Sequence, residues 1–588
     1  MRAHLDLART TRQIQTYVPR LLIEWLTHHP DRQHLAIHGS LAFVDIAGFT
    51  KLTERLARKG KIGAEEMSDV LDSTFGALLR AAQPDGADLV KWGGDAILLL
   101  FRGPRHAEHA ARAAYRMRKT LRAVGRVRAS AGAVVLRMSV GIHSGEFHFF
   151  LVGDPSVHRE LVVTGPAASR AAEFEAIATA GQIAVSDEAV ALMPAGLLGA
   201  PVPGGRLLRS EPHVADIEVA PPQTERLDLA RALPRAIREH LLGSEGVSEH
   251  RQVAVAFIEF SGTDGLLVES GPGAVTSALD EFVGNVQRAT EDHDVTFLES
   301  DINRDGGKVM LVSGAPRSQG SHEERMLRTV RQIIDNTGVF GLRAGVNRGP
   351  VFAGDFGPAF RRTYSVKGDA VNLAARVMAR ATAGSVVATR DVAARSRTTF
   401  ESEELAPFLV KGKSQAVHAL TIGAVRGERA EDLSADVFVG RERELAALAT
   451  ALADARHGRG SLVEVIGEPG MGKSRLAQET RQLADQFVTV EGPSGSYHSN
   501  TAYYPFGILL RTTLGSGADA DRAAIAQRLI ARVRESAPQL SPWLSLLAVV
   551  LGADMPSSRE IDELDERFRR AKVEEVTSEF LRHILPTP

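Results

Sequence analysis

Two carboxylates stand in contexts suited to a metal ion. Asp45 ends the apolar run LAFVDIA and precedes a glycine-containing turn. Asp95 follows Gly93 and Gly94 between the apolar stretches of KWGGDAILLLF, at the tip of a hairpin. Neighbouring strand ends can aim both carboxylates at one spot. Hard divalent ions such as Mg2+ take oxygen ligands, commonly one or two carboxylates plus phosphate oxygens. The turn Ala47-Gly48-Phe49-Thr50 offers backbone N–H groups to phosphate. A lone Asp here is more simply read as a turn cap; the pair in these two contexts is what points to a metal. Asn372 and Arg376, in VNLAAR, are four residues apart and share a helix face. An amide and a guanidinium on one face suit a phosphoryl transition state, although a solvated face accounts for such a pair taken alone. In a third place, Gly467, Gly470, Gly472, Lys473 and Ser474 fit a phosphate-binding loop in SLVEVIGEPGMGKSRLAQETRQLA, which reads strand, Gly loop, helix. Its N–H groups would cradle phosphates, Lys473 would reach the β/γ oxygens and Ser474 would bind Mg2+.

The first two groups lie on an internal repeat. LAFVDIAGFTKL matches VAFIEFSGTDGL, which sets Asp45 against Glu259. LVKWGGDAILLLF matches INRDGGKVMLVSG, which sets Asp95 against Lys308. Gly141 then matches Gly345, and Gly165 matches Gly368. The chemistry is uneven. The first copy has the carboxylates, with Ser169 and Glu173 where the second has Asn372 and Arg376; the second copy has a cation, Lys308, that would repel a metal. A single composite site between the copies explains this more simply than two independent losses. The run from Asp301 to Gly306 imitates the start of a calcium loop, but Val312 stands where the closing Glu belongs.

The 588 residues suffice for several domains. The 44% hydrophobic and 24% charged fractions are those of a globular protein. Lys+Arg 70 against Asp+Glu 72 gives no basic excess of the kind a nucleic-acid binder carries. With no cysteine there is no disulfide or thiolate site. No apolar run spans a bilayer and the N-terminus lacks a signal-like core, so a cytoplasmic protein without membrane or nucleic-acid partners is expected. Each repeat reads β-α-β-β-α-β, an α/β (α+β) ferredoxin-like sheet with helices on one face. The domain reading is an N-terminal helical segment (1–35), a metal-binding repeat (36–200), a linker (201–249), a second repeat (250–425) and a P-loop module (437–588). No apolar strand ending in Asp or Glu follows the P-loop, since LSLLAVVLGADMP reads as a helix end. That module is therefore expected to be truncated and its hydrolysis doubtful.

FVDIAGFT, KWGGDA and YSVKGDAVNLAAR resemble the metal and catalytic motifs of the class III nucleotidyl cyclases. The resemblance covers both repeats, and the tandem order with a P-loop segment behind it is similar to members that carry two catalytic domains in one chain. It implies a head-to-tail, pseudo-symmetric intrachain pair and conversion of ATP to 3′,5′-cyclic AMP and pyrophosphate. Asp45, Asp95 and the carbonyl of Ile46 would hold two Mg2+ (or Mn2+). Asn372 would orient the ribose and Arg376 would stabilise the α-phosphate. Ser365, with Val366, would meet the adenine edge. Lys411 and Lys413 would bind phosphate. The family's adenine-reading Lys falls on Arg304, and Ser139 replaces a phosphate-contacting Lys. Lys91, with Arg170 nearby, matches the activator pocket of bicarbonate-responsive members and implies a small-anion activator. A second nucleotide would occupy the P-loop. The competing readings are a guanylate cyclase, and a nucleotide-sensing scaffold with inactive cyclase domains and a P-loop switch.

Overall fold

The computed structural model describes all residues except 1–10, 12, 49–51, 53–55, 57–59, 95, 130–131, 221, 223, 225–226, 244–248, 319, 337, 411–414, 429–439, 467–472, 491–502, 517–520, 554, 565 and 586–588. The chain divides into two compact units, Met1–Glu428 and Arg429–Pro588.

The first unit holds both repeats. After helix α1 (Arg20–His28), the first lobe runs β1 (His34–Ala47), α2 (Gly60–Ala82), β2 (Asp88–Gly93), β3 (Ala96–Arg102), α3 (His106–Val124), β4 (Arg137–Val152), β5 (Glu160–Thr164), α4 (Pro166–Ile177), β6 (Ile183–Ser186), β7 (Leu198–Val202) and β8 (Gly205–Leu208). Helix α5 (Arg235–Gly243) leads to the second lobe. There the order is β9 (Glu249–Ser261), α6 (Thr263–Asp292), β10 (Thr296–Asn303), β11 (Gly306–Ser313), α7 (His322–Asp335), β12 (Gly341–Phe356), β13 (Thr363–Lys367), α8 (Asp369–Met378), β14 (Val386–Thr389) and β15 (Ala419–Thr421). The sheet orders are β2-β3-β1-β4-β6-β8-β7, with β5 on β4, and β10-β11-β9-β12-β14-β15, with β13 on β12. The two lobes thus repeat one ferredoxin-like order, as the expected βαββαβ pattern requires.

The sheet of the first lobe is covered on both faces, not on one. Ala42, Val44 and Ile46 of β1 pack with α2 and with the alanine face of α3. Leu41 and the Phe147 and Phe149 side of β4 pack with α1 and α4. A strand as continuously apolar as β1 needs both covers, because its successive side chains alternate between faces. Gly141 and Gly345 occupy the same place in the two lobes. A Cβ on Gly141 would overlap the backbone of Phe174 and Glu175 in α4, and one on Gly345 the backbone of Met378 in α8. Only glycine lets those helices lie directly on their sheets.

In the second unit, α9 (Glu442–Arg456) and α10 (Lys473–Leu483) flank the P-loop residues. α11 (Tyr504–Thr513), α12 (Arg522–Ser536), α13 (Leu544–Leu551) and α14 (Glu566–Ile584) follow. Leu510, Leu529, Val533, Leu547, Leu551 and Phe580 form the helical core of this unit. The strand expected before the P-loop is absent. Residues 460–466 are irregular, with Leu462 98% and Ile466 85% exposed. Such a strand needs paired neighbours, and the described residues of this unit contain no strand to pair with it. LSLLAVVL is helical, as its pattern suggested, and Gly552 closes it at φ 69°. Among the described residues no helix is long and apolar enough to cross a membrane.

Replacing Gly345 with Ala should lower the unfolding free energy by about 1–3 kcal/mol through overpacking, read as a lower urea midpoint. An unchanged midpoint would contradict this account of the helix–sheet contact.

Candidate active site

Asp45 is the third residue from the end of β1. It lies opposite Ala96 of β3 on one side and Ser139 of β4 on the other. Ile46 buries its side chain in the core, Ala47 is exposed, and Gly48 opens the following turn at φ 112°. Phe49, Thr50, Asp95, Lys411 and Lys413 lie outside the described residues, as do Gly467, Gly470 and Gly472. Gly94 and Ala96 bracket position 95, so the β2–β3 turn itself is located.

That turn meets the second lobe. The Lys367 ammonium, at the end of β13, donates to the Gly94 carbonyl. Asp301 of β10 presses on Gly93, where a Cβ would come within 2.7 Å of its Oδ2. Arg361 donates to the Leu89 carbonyl at 3.2 and 3.3 Å, and Asp72 of α2 accepts from Gly357 N at 2.8 Å. Helix α8 starts directly after Lys367. It buries Val371, Ala374 and Val377 while Asn372 and Arg376 stay half-exposed on another face. The Arg376 guanidinium has no hydrogen bond or ion pair among the described residues. On β13, Ser365 and Val366 are buried, and the Ser365 Oγ has no hydrogen-bond partner among the described residues. A buried hydroxyl left unpaired costs about 1–3 kcal/mol.

The strand ladders correct the repeat alignment in this region. Asp45 faces Ala96, whereas Glu259 faces Lys308, so Lys308 corresponds to Ala96 and not to Asp95. The second hairpin continues for two further rungs, Phe260 with Gly307 and Ser261 with Gly306. Both edge strands carry a bulge, after Leu89 and after Phe297. Past it, Lys91 lies opposite Leu98 and Glu299 opposite Met310. Glu299 therefore takes the position for which Arg304 was expected. Arg304 sits at the hairpin tip with its side chain 78% exposed, and pairs with Glu173 at 3.2 Å. Glu299 was missed because an ungapped match hides the longer hairpin; the shared apolar-apolar-charged step, LVK against FLE, was the available signal. Burial pushes the Glu299 carboxyl up to about 7, with Lys367 pulling it down and Asp301 pushing it further up.

The pseudo-symmetric second cleft is closed by the chain itself. Arg343 grips both oxygens of Glu259 at 2.9 and 3.0 Å. Lys308 pairs with Asp301 at 3.0 Å. Asp305 accepts from Gly262 N and Asp264 N at 3.2 and 3.0 Å, and its own N–H donates to Ser169 Oγ at 2.7 Å. A carboxylate of the chain thus sits on the turn whose counterpart in the first lobe was assigned to phosphate.

Lys91 and Arg170 are not brought together. Arg170 pairs with Glu173 at 3.0 Å and lies over Phe174. Lys91 is buried between the lobes, donating to Glu160 Oε1 at 2.7 Å and to Ser300 Oγ at 2.8 Å. Ser300 also donates to Glu160 through Oγ at 2.6 Å and through N at 3.3 Å. The expected anion pocket therefore already contains an anion. Asp154 N donates to Gln287 Oε1, which turns Gln287 Nε2 toward the His158 carbonyl and Nδ1. Nδ1 must then accept, so the proton sits on Nε2, 3.5 Å from Glu160 Oε2. Burial raises the Glu160 pKa, but Lys91 and His158 outweigh it and hold the carboxyl at about 2.

Changing Glu160 to Gln keeps the shape and removes the charge, leaving the Lys91 ammonium uncompensated. A loss of about 3 kcal/mol or more is expected in urea unfolding at neutral pH. The folded pKa is depressed from 4.5, so this contribution is complete above the unfolded value and fades as pH falls toward 2. The deficit of the variant should persist from about pH 8 to 5 and shrink below about 4. A variant as stable as the parent at neutral pH would contradict the clamp.

The family model of the adenylate and guanylate cyclase catalytic domain matches residues 37–197 and 246–422, and that of the AAA ATPase domain matches 437–583. An adenylate cyclase of Mycobacterium tuberculosis is 30% identical over 196 residues, 32% of this chain and 43% of its own. Adenylate cyclase type 10 of Oryctolagus cuniculus is 21% identical over 608 residues, 91% of this chain and 36% of its own. The chain thus spans less than half the length of either relative. A class III adenylyl cyclase-like ATP-binding protein from Pseudomonas aeruginosa aligns with a TM-score of 0.44 at 13% identity, covering 67% of this chain and 93% of that one. With two matched segments that together exceed half its length and a strand order repeated between them, the chain belongs to the adenylate and guanylate cyclase catalytic domain family, in tandem form, with an AAA-type ATPase segment behind.

Proposed function

We propose that the chain converts ATP to 3′,5′-cyclic AMP and pyrophosphate at one cleft shared by the two lobes. The observation that carries this reading is the Lys367 ammonium on the Gly94 carbonyl, which ties the carboxylate-bearing turn of the first lobe to the strand that leads into Asn372 and Arg376. The names of the adenylate cyclase relatives support the choice of ATP.

The donor types suit a hard divalent cation: the carboxylates of Asp45 and Asp95 with the Ile46 carbonyl. The second cleft does not, because its carboxylate is already held by Arg343. When bound, a pair of Mg2+ or Mn2+ ions would make the ribose 3′-hydroxyl more acidic and neutralise the triphosphate. The turn from Ala47 to Thr50 offers N–H groups to the phosphates, and Lys411 and Lys413 add positive charge. Asn372 orients the ribose so that its 3′-oxygen meets the α-phosphorus as pyrophosphate departs. Arg376, free of a carboxylate partner among the described residues, takes up charge as it develops at the α-phosphate. The buried Ser365 Oγ and the main chain at Val366 meet the purine edge. The P-loop residues Gly467, Gly470, Gly472, Lys473 and Ser474 bind a second nucleotide.

Glu299 favours a second reading, in which GTP is also used. A protonated carboxyl offers adenine a donor for N1 and an acceptor for the 6-amino group; an ionised one offers guanine two acceptors. Because this group titrates near 7, the ATP:GTP ratio of kcat/KM should fall as pH rises through neutrality. Glu299→Gln, with one fixed donor and acceptor, should flatten that dependence. A ratio independent of pH in the parent would remove Glu299 from base selection. In the same assay, Asp45→Ala should lose at least about a hundredfold in turnover, and undiminished turnover would refute the site. Arg376→Ala should lower kcat more than it raises KM; the opposite split would count against a transition-state role.

A further inference from the structure

A pocket of about 340 Å3 in the first lobe is lined by Arg118, Arg122, Arg126 and Arg137 over an apolar floor that includes Leu136 and Met138. Arg118 and Arg122 project from one face of α3, being four residues apart. Gly125 ends the helix, Arg126 follows it, and Arg137 begins β4. Among the described residues no carboxylate lines this pocket, and none of the four guanidiniums forms an ion pair. The other arginines of α3 and its N-cap behave differently: Arg105 pairs with Glu108, Arg112 with Asp85 and Arg116 with Glu211. Arg118 has only the Gly181 carbonyl at 3.3 Å and the Tyr115 ring, and burial and then Arg122 both push its pKa down. The negative end of the helix dipole accounts for Arg122, but it decays within a turn and does not gather Arg126 and Arg137. Like charges brought together without a counter-ion repel, and the chain as a whole is slightly acidic, so the cluster is a local feature.

We infer that this pocket binds the polyphosphate group of a small molecule. Guanidinium forks match phosphate oxygens two at a time, and several such forks suit an anion with several charges. The volume is at the lower end of small-molecule sites, and the lining contains no aromatic platform on which nucleic-acid bases would stack. The pocket also backs onto the site described above. Arg137 is laddered to Ala47, and Leu136 lies 3.2 Å from where a Cβ on Gly48 would be. A ligand here would stiffen the turn that follows Asp45. The inference is independent of the cyclase reading, because it concerns binding alone.

The test is calorimetric titration of the full chain with inorganic tripolyphosphate in EDTA. An Asp45→Ala and Lys473→Ala background removes the other two phosphate sites. Binding is expected, and ATP should compete for it through its triphosphate. Arg118→Gln with Arg137→Gln should weaken it at least about tenfold, from lost charged hydrogen bonds. Arg122→Gln with Arg126→Gln, at exposed positions, should do the same where the first pair disturbs folding. No binding, affinity unchanged from the background chain in both double variants, or displacement by single-stranded polynucleotide and not by ATP would overturn the assignment.

Discussion

The cleft depends on one buried ammonium. Lys91 reaches from the first lobe to Ser300 of the second while Glu160 neutralises it. Burying such a pair is costly, and it repays the cost only where every remaining donor and acceptor is satisfied. Here Ser300 supplies two hydrogen bonds to the same carboxylate oxygen, and the Asp154–Gln287–His158 chain brings His158 Nε2 to 3.5 Å from the other, short of a hydrogen bond. Successive side chains on a strand point to opposite faces. Fixing Ser300 therefore fixes its neighbours: Glu299, which sits among Lys367 and other charged groups, and Asp301, which rests on Gly93. The internal carboxylate stands where an activating anion was expected.

The two clefts use the same fold to opposite ends. In one, carboxylates stand on the first lobe and an amide and guanidinium on the second. In the other, Glu259 is gripped by Arg343, Asp305 fills the anion-binding turn, and Arg304 and Ser169 close the gap from either side. The uneven chemistry of the repeat thus has a structural counterpart: the second cleft is taken up by contacts of the chain with itself, two of them between the lobes.

Much of this was legible in the residues. The paired segments around Asp45 and Glu259, and around Gly141 and Gly345, foretold the shared strand order, because the alternation and glycine contacts that build these sheets are local in sequence. The i,i+4 spacing of Asn372 and Arg376 foretold one helix face. The hairpin length was not legible: two added rungs shift which residue lies across from which without changing composition, and this moved Lys308 and replaced Arg304 by Glu299. Nor was the fate of Lys91, since Glu160 and Ser300 are distant in sequence and meet it only across the lobes. The apolar run 460–466 read as a strand because periodicity is blind to whether a neighbouring strand is there to pair with it.

The central claim is that a single nucleotide touches both lobes. A crystal structure of the chain with a non-cyclisable ATP analogue and Mn2+ tests it most directly. The account predicts anomalous Mn2+ signal between Asp45 and Asp95, with the ribose of the same nucleotide within hydrogen-bond reach of Asn372. Nucleotide held by one lobe alone, or metal absent from that cleft while the P-loop is filled, would contradict it.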